Sequence, residues 1–285
     1  MYFGFFWLKV CLPVYYLGGK GKKANMKVKS YIITHKKTTL PELKGYYSLL
    51  VGAYKHKDKE IFDYCDDEGE NISAKNANYC ELTGLYWIWK HSDADIVGFC
   101  HYRRYFTNSL FSSKTKYFLT DSDMETLLQE YDVIVPRARY YKETAYEALN
   151  IAPNIADAEE MRRAISKLYP EYLDVYQSYL GSNKCYLFNM FVMKKKLLDQ
   201  YCEWLFNILN FIESEYPVDK NDPYRSRLFG FLSERLIYVW IKKNIPQSKI
   251  KECRVVKTDE KSCWLVGQDI KNSVRNLYFH TMHRG

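Results

Sequence analysis

Residues 71–106 read NISAKNANYCELTGLYWIWKHSDADIVGFCHYRRYF, and the reading of this stretch decides the fold. Tyr79, Leu82, Leu85, Tyr86, Ile88 and Trp89 recur at helical spacing, with Asn78 and Glu81 placed as a capping-box-like start. The pattern predicts a helix over about 78–90. After the polar HSDAD, the apolar run of IVGFCHYRR is too short for a helix and predicts a buried strand.

The same alternation continues outward in both directions. Upstream, KSYIITHK passes into a β-branched run and stops at polar residues, which places a first strand at 28–34. Downstream, Ser122 and Glu125 are spaced as a capping box for a helix to Glu130, and YDVIVP is a strand ended by Pro136. Residues 140–180 read as mainly helical. The strand-like CYLFNMFVMKK then runs into the helical KKLLDQYCEWLFNILNFI, and SRLFGFLSERLIYVWIKKN forms a helix with an apolar face. Strands alternating with helices predict an α/β domain whose central sheet is mostly parallel, with a few antiparallel additions, and flanked by helices.

Composition narrows the functional classes. The 285 residues are 47% hydrophobic and 17% aromatic, ample for a buried core. The formal charge of +8 is spread along the chain rather than gathered into a basic run, so nucleic acid is not the expected partner. A modestly basic surface fits phosphorylated small molecules or anionic lipid headgroups. Cys11, Cys65, Cys80, Cys100, Cys185, Cys202, Cys253 and Cys263 contain no CxxC pair and sit in apolar segments, as packed, reduced thiols of a cytoplasmic protein do. Residues 1–25 are apolar, interrupted by Lys9 and Pro13, and fit neither a signal peptide nor a spanning helix. They read as a misassigned start before Met26 or a membrane-surface tail, with 26–285 as one domain. They hold four lysines and no acid, so without them the charge falls from +8 to +4.

Two constellations compete for chemistry around the strand after HSDAD. Asp93-x-Asp95 has the spelling of a carboxylate pair for a divalent metal such as Mn²⁺ or Mg²⁺. It precedes the strand, however, whereas ligands in open α/β sheets bind outside the carboxyl ends. His101-Tyr102-Arg103-Arg104 emerges at that end. A period of two puts His101 and Arg103 on one face, Tyr102 and Arg104 on the other, for as long as strand geometry persists. Guanidinium groups bind phosphate bidentately, so the cluster suits a diphosphate without a metal; arginines paired with acids in a structural network are the alternative. Asp63, Asp66 and Asp67 are other carboxylates able to hold a metal, and His280-x-x-His283 is a weaker pair near the chain end. Glu234, in GFLSERL, reads either as a proton acceptor or as a first-turn Glu favoured by the helix dipole. Asn189 is a polar residue within an apolar run, able to bond a ligand or to satisfy a strand edge.

Taken together, NISAKNANYCELTGLYWIWKH, IVGFCHYRRYF and GFLSERL, with THK after the first strand and NMFVMKK between them, resemble a bacterial family of capsular and exopolysaccharide glycosyltransferases long catalogued as a domain of unknown function. The resemblance covers about residues 27–245. It implies a GT-A-like nucleotide-binding fold and transfer of a sugar from a nucleotide-sugar donor, most simply a UDP-sugar and in some relatives UDP-galactofuranose. The acceptor it implies is a lipid-linked or oligosaccharide chain, with the enzyme cytoplasmic and peripheral on the inner face of the membrane. It places Thr34, His35 and Lys36 beside the nucleotide and leads Asn71, Ser73, Lys75 and Asn76 toward the same crevice. It also implies that Glu234 acts as the base of a single displacement, with His101, Arg103 and Arg104 stabilising the leaving diphosphate. No resident metal is expected. A retaining enzyme and a catalytically inert nucleotide- or carbohydrate-binding module are the rival readings.

Overall fold

The computed structural model describes residues 26–109, 112, 114–151, 155–216 and 225–259. The expected N-terminal extension, Cys11, Cys263, His280 and His283 lie outside them. Among the described residues ten strands follow in chain order: β1 (Val28–Thr34), β2 (Tyr46–Leu50), β3 (Tyr64–Cys65), β4 (Ile96–His101), β5 (Arg104–Thr107), β6 (Val133–Pro136), β7 (Arg139–Tyr140), β8 (Lys184–Cys185), β9 (Phe191–Lys194) and β10 (Ile250–Lys257). The helices are α1 (Asn76–Tyr79), α2 (Leu82–His91), α3 (Asp121–Glu130), α4 (Ala145–Ile151), α5 (Ile155–Leu168), α6 (Leu173–Leu180), α7 (Lys195–Glu215) and α8 (Leu228–Asn244).

The fold is mixed α/β in three layers, and the two-residue period of the strands builds them. Tyr31 and Ile33 of β1, Val97 and Phe99 of β4, Val133 and Val135 of β6, and Phe191 and Met193 of β9 enter one core with the apolar faces of α2 and α5–α8. Their neighbours Ile32, Ile96, Cys100, Ile134 and Val192 enter a second core with Met124 and Leu128 of α3. A central sheet apolar on both faces needs both covers, which is why its strands read as continuous apolar runs.

The sheet is mixed rather than mostly parallel. Among the described residues it has eight strands, β1 pairing in parallel with β2 and β4, β2 with β3, and β10 with β6. The other pairings are antiparallel: β9 lies between β4 and β6, and β5 lies against β4 and β10. The few antiparallel additions expected are as many as the parallel pairings, because a hairpin and an inserted strand of reversed direction leave no signal in the alternation of strand and helix. β7 and β8 form a separate two-stranded ribbon.

Local differences from the sequence expectations have local causes. The helix expected over 78–90 is broken at Cys80, whose φ of 52° ends α1 and lets α2 start afresh at Leu82. The capping box of α3 is Thr120 with Asp123, not Ser122 with Glu125; the Thr120 side chain accepts from the Asp123 N–H and the Asp123 carboxylate accepts in return. CYLFNMFVM contains a turn at Phe188 and Asn189, with φ of 78° and 49°, so its strand is confined to β9. β2 and β10 were not foreseen, because YYSLL is short and IKECRVVK is broken by charges.

Close packing of β1 on β4 gives a first testable consequence. Gly98 faces Ser30 in the register, and a Cβ added there would stand 2.3 Å from the Ser30 Oγ and 3.2 Å from its Cα. The serine hydroxyl can turn away, but backbone in a central sheet cannot. Gly98→Ala is expected to lower stability by about 1–3 kcal/mol in urea denaturation. An unchanged midpoint would mean that the strands separate freely here.

Candidate active site

The parallel strands β1, β2 and β4 end together, and their carboxyl ends open on a cavity of about 520 Å³ lined by Thr34, His35, Val51, Asn76, Cys80, Glu81, the four residues His101 to Arg104, Phe188, Arg227 and Glu234. β1 lies between β2 and β4, so this is the switch point at which open α/β sheets place ligands. The strand expected through Arg104 does not persist. β4 ends at His101 and a two-residue turn pairs it with Arg104 of β5, so all four side chains of the cluster border the same cavity instead of dividing between faces.

The members of the cluster differ. His101 places its Nε2 2.6 Å from the Phe188 carbonyl, an acceptor only, so that nitrogen carries the proton. Burial lowers the pKa of the ring, with Arg104 and Arg103 adding to that and Glu81 opposing it. Through its bond to the carbonyl His101 props the Phe188 turn. Arg103 pairs with Asp259 at 2.8 Å and lies 5.0 Å from the Tyr102 ring centre. Arg104 is half-buried, stacks 4.4 Å over the Phe188 ring, and has a buried Nε without a hydrogen-bond partner. Among the described residues it forms no ion pair, so its charge is offered to the cavity.

Two carboxylates face these cations. Glu234 sits in the second turn of α8 rather than at the helix start, because α8 begins at Leu228. Burial, helped by the charge of Glu81, raises its pKa to about 7, with Arg235, Arg104 and Arg227 pulling the other way. Glu81 was read as a cap, yet it makes no capping bond. Its Oε1 accepts from the Asn189 side-chain amide at 2.8 Å, and the same amide donates to the Ser233 Oγ at 2.7 Å. Asn189 thus lies behind the cavity and ties Glu81 to α8. Gly230 allows this approach, since a Cβ there would meet the Cys80 Cβ and Sγ at 3.2 Å.

Asn189 also holds an unfavourable φ of 49°. Asn189→Ala is expected to lose about 2–3 kcal/mol of stability, through the vacated hydrogen bonds and the left-handed backbone. Asn189→Gly is expected to recover about 1 kcal/mol of this, because glycine removes only the conformational part. Chemical denaturation of the pair separates the two contributions; equal losses would show that backbone strain is negligible.

The remaining sequence candidates divide. Thr34, His35 and Asn76 line the cavity, although the Thr34 hydroxyl donates to the Lys36 carbonyl at 2.7 Å and the Asn76 amide to the Cys80 carbonyl at 2.7 Å. Lys36 stands outside with its Nζ 5.7 Å from the Tyr102 ring centre. Asn71, Ser73 and Lys75 do not reach the cavity. Asn71 donates to the Gly69 carbonyl, Ser73 bonds the buried Asp66, and Lys75 pairs with Glu213 at 2.6 Å, contacts that shape the loop before α1. Asp93 pairs with Lys27 and Lys29, and Asp95 accepts from the Lys27 N–H at 2.8 Å, both at the amino end of β4. Asp63 accepts from Ser48, Asp66 from the backbone of Gly52 and Ala53, and Asp67 pairs with Lys59. Among the described residues no three His, Cys, Asp or Glu side chains gather as metal ligands. The six described cysteines are free thiols.

Sequence reasoning missed Glu81, Phe188 and Arg227. Arg227 donates to the Cys80 Sγ at 3.4 Å and adds a third guanidinium to the cavity wall. Only the contact between the broken α1–α2 corner and α8 brings these residues together. Glu234 also borders a second cavity, of about 210 Å³, walled by the end of α6, β8 with its flanking residues and the start of α4. Among the described residues it is common to both.

The fold is similar to that of WbbM, described as a bifunctional glycosyltransferase in its apo form. The likeness has a TM-score of 0.75 at 30% identity over 82% of this chain and 46% of that one. The chain thus spans about half the length of WbbM. No curated protein matches the chain. The blocks that form the cavity, from the end of β1 through Glu234, fall within residues 29–245, which match the model of the domain of unknown function DUF4422, and the chain belongs to that family.

Proposed function

We propose that the protein is a glycosyltransferase that moves a sugar from a nucleotide-sugar donor to a hydroxyl of a glycan acceptor, by a single inverting displacement. The observation that carries this reading is the presence, in one cavity at the carboxyl edge of the sheet, of a guanidinium that among the described residues forms no ion pair and of a carboxylate whose pKa is raised to about 7. A base with that pKa is half ionised at neutral pH and accepts a hydroxyl proton there. The likeness to a chain from a bifunctional glycosyltransferase supports the same reaction class.

In this reading the donor diphosphate lies against Arg103, Arg104 and Arg227, with the base near Tyr102 and His35. Glu234 takes the acceptor proton, the acceptor oxygen attacks the anomeric carbon, and the bond to the diphosphate breaks with its electron pair retained by the guanidinium-bound leaving group. His101 holds the Phe188 turn that Arg104 stacks on. The arginines supply positive charge fixed in place before the reaction, so no resident metal is assigned. A UDP-sugar donor, galactofuranose among the candidates, is proposed from the family resemblance. So are a lipid-linked or surface-polysaccharide acceptor and peripheral membrane contact at the cytoplasmic face. No described helix is long and apolar enough to cross a membrane.

The deciding experiment is nucleotide release by the full chain from UDP-, GDP-, CMP- and dTDP-sugars, with crude glycolipid as acceptor, in Mn²⁺ and in EDTA. Release from one donor that persists in EDTA is the expected result. Its rate is expected to fall tenfold per pH unit below about 7, because protonated Glu234 accepts no proton. Nucleotide binding without release from any donor would favour an inert binding module, and loss of release in EDTA would restore a metal.

A further inference from the structure

Glu234 stands in the wall between the large cavity and the second one of about 210 Å³. We infer that the second cavity is the acceptor subsite and seats a single sugar ring whose free hydroxyl is directed at Glu234. The inference rests on the transferase reading and adds to it the place and chemical class of the group that receives the sugar.

Size separates the two cavities. Drug-sized ligands occupy roughly 300–1,000 Å³, a span that includes the first cavity and excludes the second. A nucleoside diphosphate fits only the first; one ring fits the other. The wall chemistry suits a carbohydrate, which presents apolar ring faces and a polar rim. Tyr179 and Tyr186 form part of its apolar wall, both packed against Tyr238, with ring centres 5.5 and 5.2 Å away. The Tyr186 hydroxyl is anchored on Glu252 at 3.3 Å. The rim carries the Asn183 amide and the Arg235 guanidinium. Arg235 donates to the Phe231 carbonyl one turn back at 2.8 Å and, among the described residues, pairs with no carboxylate at bonding distance. The Arg235 guanidinium is thus held in place and still has donors to give.

The placement also balances the reaction. An acceptor O–H entering from the second cavity meets the Glu234 carboxylate, which takes the proton as the oxygen bonds to the anomeric carbon. The C–O bond to the diphosphate breaks on the opposite side, and its electrons leave with the group held by the arginines of the first cavity.

The test is saturation-transfer NMR of the full chain with UDP present, using the methyl pyranosides of galactose, glucose, mannose and N-acetylglucosamine and methyl β-galactofuranoside. Ala148 lies on α4 at the mouth of the second cavity, and Ala148→Trp fills that mouth from outside the core. At least one glycoside is expected to bind, with affinity lowered about tenfold or more in Ala148→Trp and UDP affinity unchanged. Asn183→Ala, which adds no bulk, is expected to weaken the same glycoside by about threefold to tenfold. Binding of no glycoside, or equal binding by wild type and both variants, overturns the inference. Glycoside binding that Ala148→Trp abolishes, without nucleotide release from any donor, keeps the sugar site and sinks the transferase reading. Nucleotide release with glycoside affinity untouched by the variants keeps the transferase and sinks the subsite.

Discussion

Glu234→Gln is expected to reduce the rate of sugar transfer by about 10²–10⁴-fold, the range contributed by a positioned general base, while UDP affinity stays within about threefold of wild type. The amide keeps the shape of the protonated acid and cannot accept the proton. The same substitution should stabilise the fold, and the sign follows from linkage. An unfolded Glu titrates at 4.5, whereas folded Glu234 titrates at about 7 because burial disfavours its charge. Between those values the folded chain binds more protons than the unfolded one, so this residue makes stability fall as pH rises from 4.5 to about 7. At pH 8 the whole penalty is present, and relieving it is worth up to about 3 kcal/mol. Melting curves should therefore show a gain for the variant at pH 8 and none at pH 4. Unchanged transfer would remove Glu234 from the base role, and a gain equal at both pH values would show that its charge is not the cause.

Arg104→Met is the second large effect. Losing a charge-assisted hydrogen bond to a phosphate removes about 1.5–3 kcal/mol, so UDP affinity is expected to fall roughly 10–100-fold. The chemical step should slow further, because leaving-group charge is greatest in the transition state. Folding should not suffer. The side chain buries a cation that has no ion pair among the described residues, and its Nε bonds nothing, so an apolar side chain of similar length is tolerated. Arg104→Lys should restore little, since an ammonium cannot stack on Phe188 and reach two phosphate oxygens at once. Calorimetric titration of UDP into the three proteins decides the matter. Equal affinities would place the diphosphate elsewhere and leave Arg104 a structural residue stacked on Phe188.

The retaining and inert readings make different predictions for the same variants. In a retaining enzyme Glu234→Gln would leave transfer nearly intact and the product anomer would match the donor. An inert module would bind UDP through Arg104 and release none from any sugar donor.

How far the site was legible depended on whether each residue acts through local chain geometry or through a distant contact. β1 at 28–34 could be read directly, because a β-branched run bounded by polar residues states its own boundary, whereas Thr34 and His35 were singled out only through the family resemblance. The choice of the carboxyl end of β4 over Asp93 and Asp95 was equally local, since chain direction fixes which end a residue occupies. Asn71, Ser73 and Lys75 stand in the same motif as Asn76, yet loop turns that the motif does not spell direct them away from the cavity to Asp67, Asp66 and Glu213. Glu81 was hidden behind a capping-box spelling, and only the left-handed turn at Cys80 frees its carboxylate for Asn189.

The sequence by itself determined the α/β class, the buried central strands, the position of the cationic cluster at a strand end and the family, because these follow from periodicities of 2 and 3.6 residues and from contiguous motifs. Tertiary structure alone decided which strands run reversed, β5 and β9, the two-residue turn that gathers His101 to Arg104 around one cavity, and the bond from His101 to the Phe188 carbonyl. It also decided that Glu234 stands between two cavities with Glu81 and the arginines beside it. The physical reason is that direction, burial and electrostatic coupling are properties of pairs: Glu234 and Glu81 are far apart along the chain, and the charge of one is felt by the other only after α8 has packed against the corner between α1 and α2.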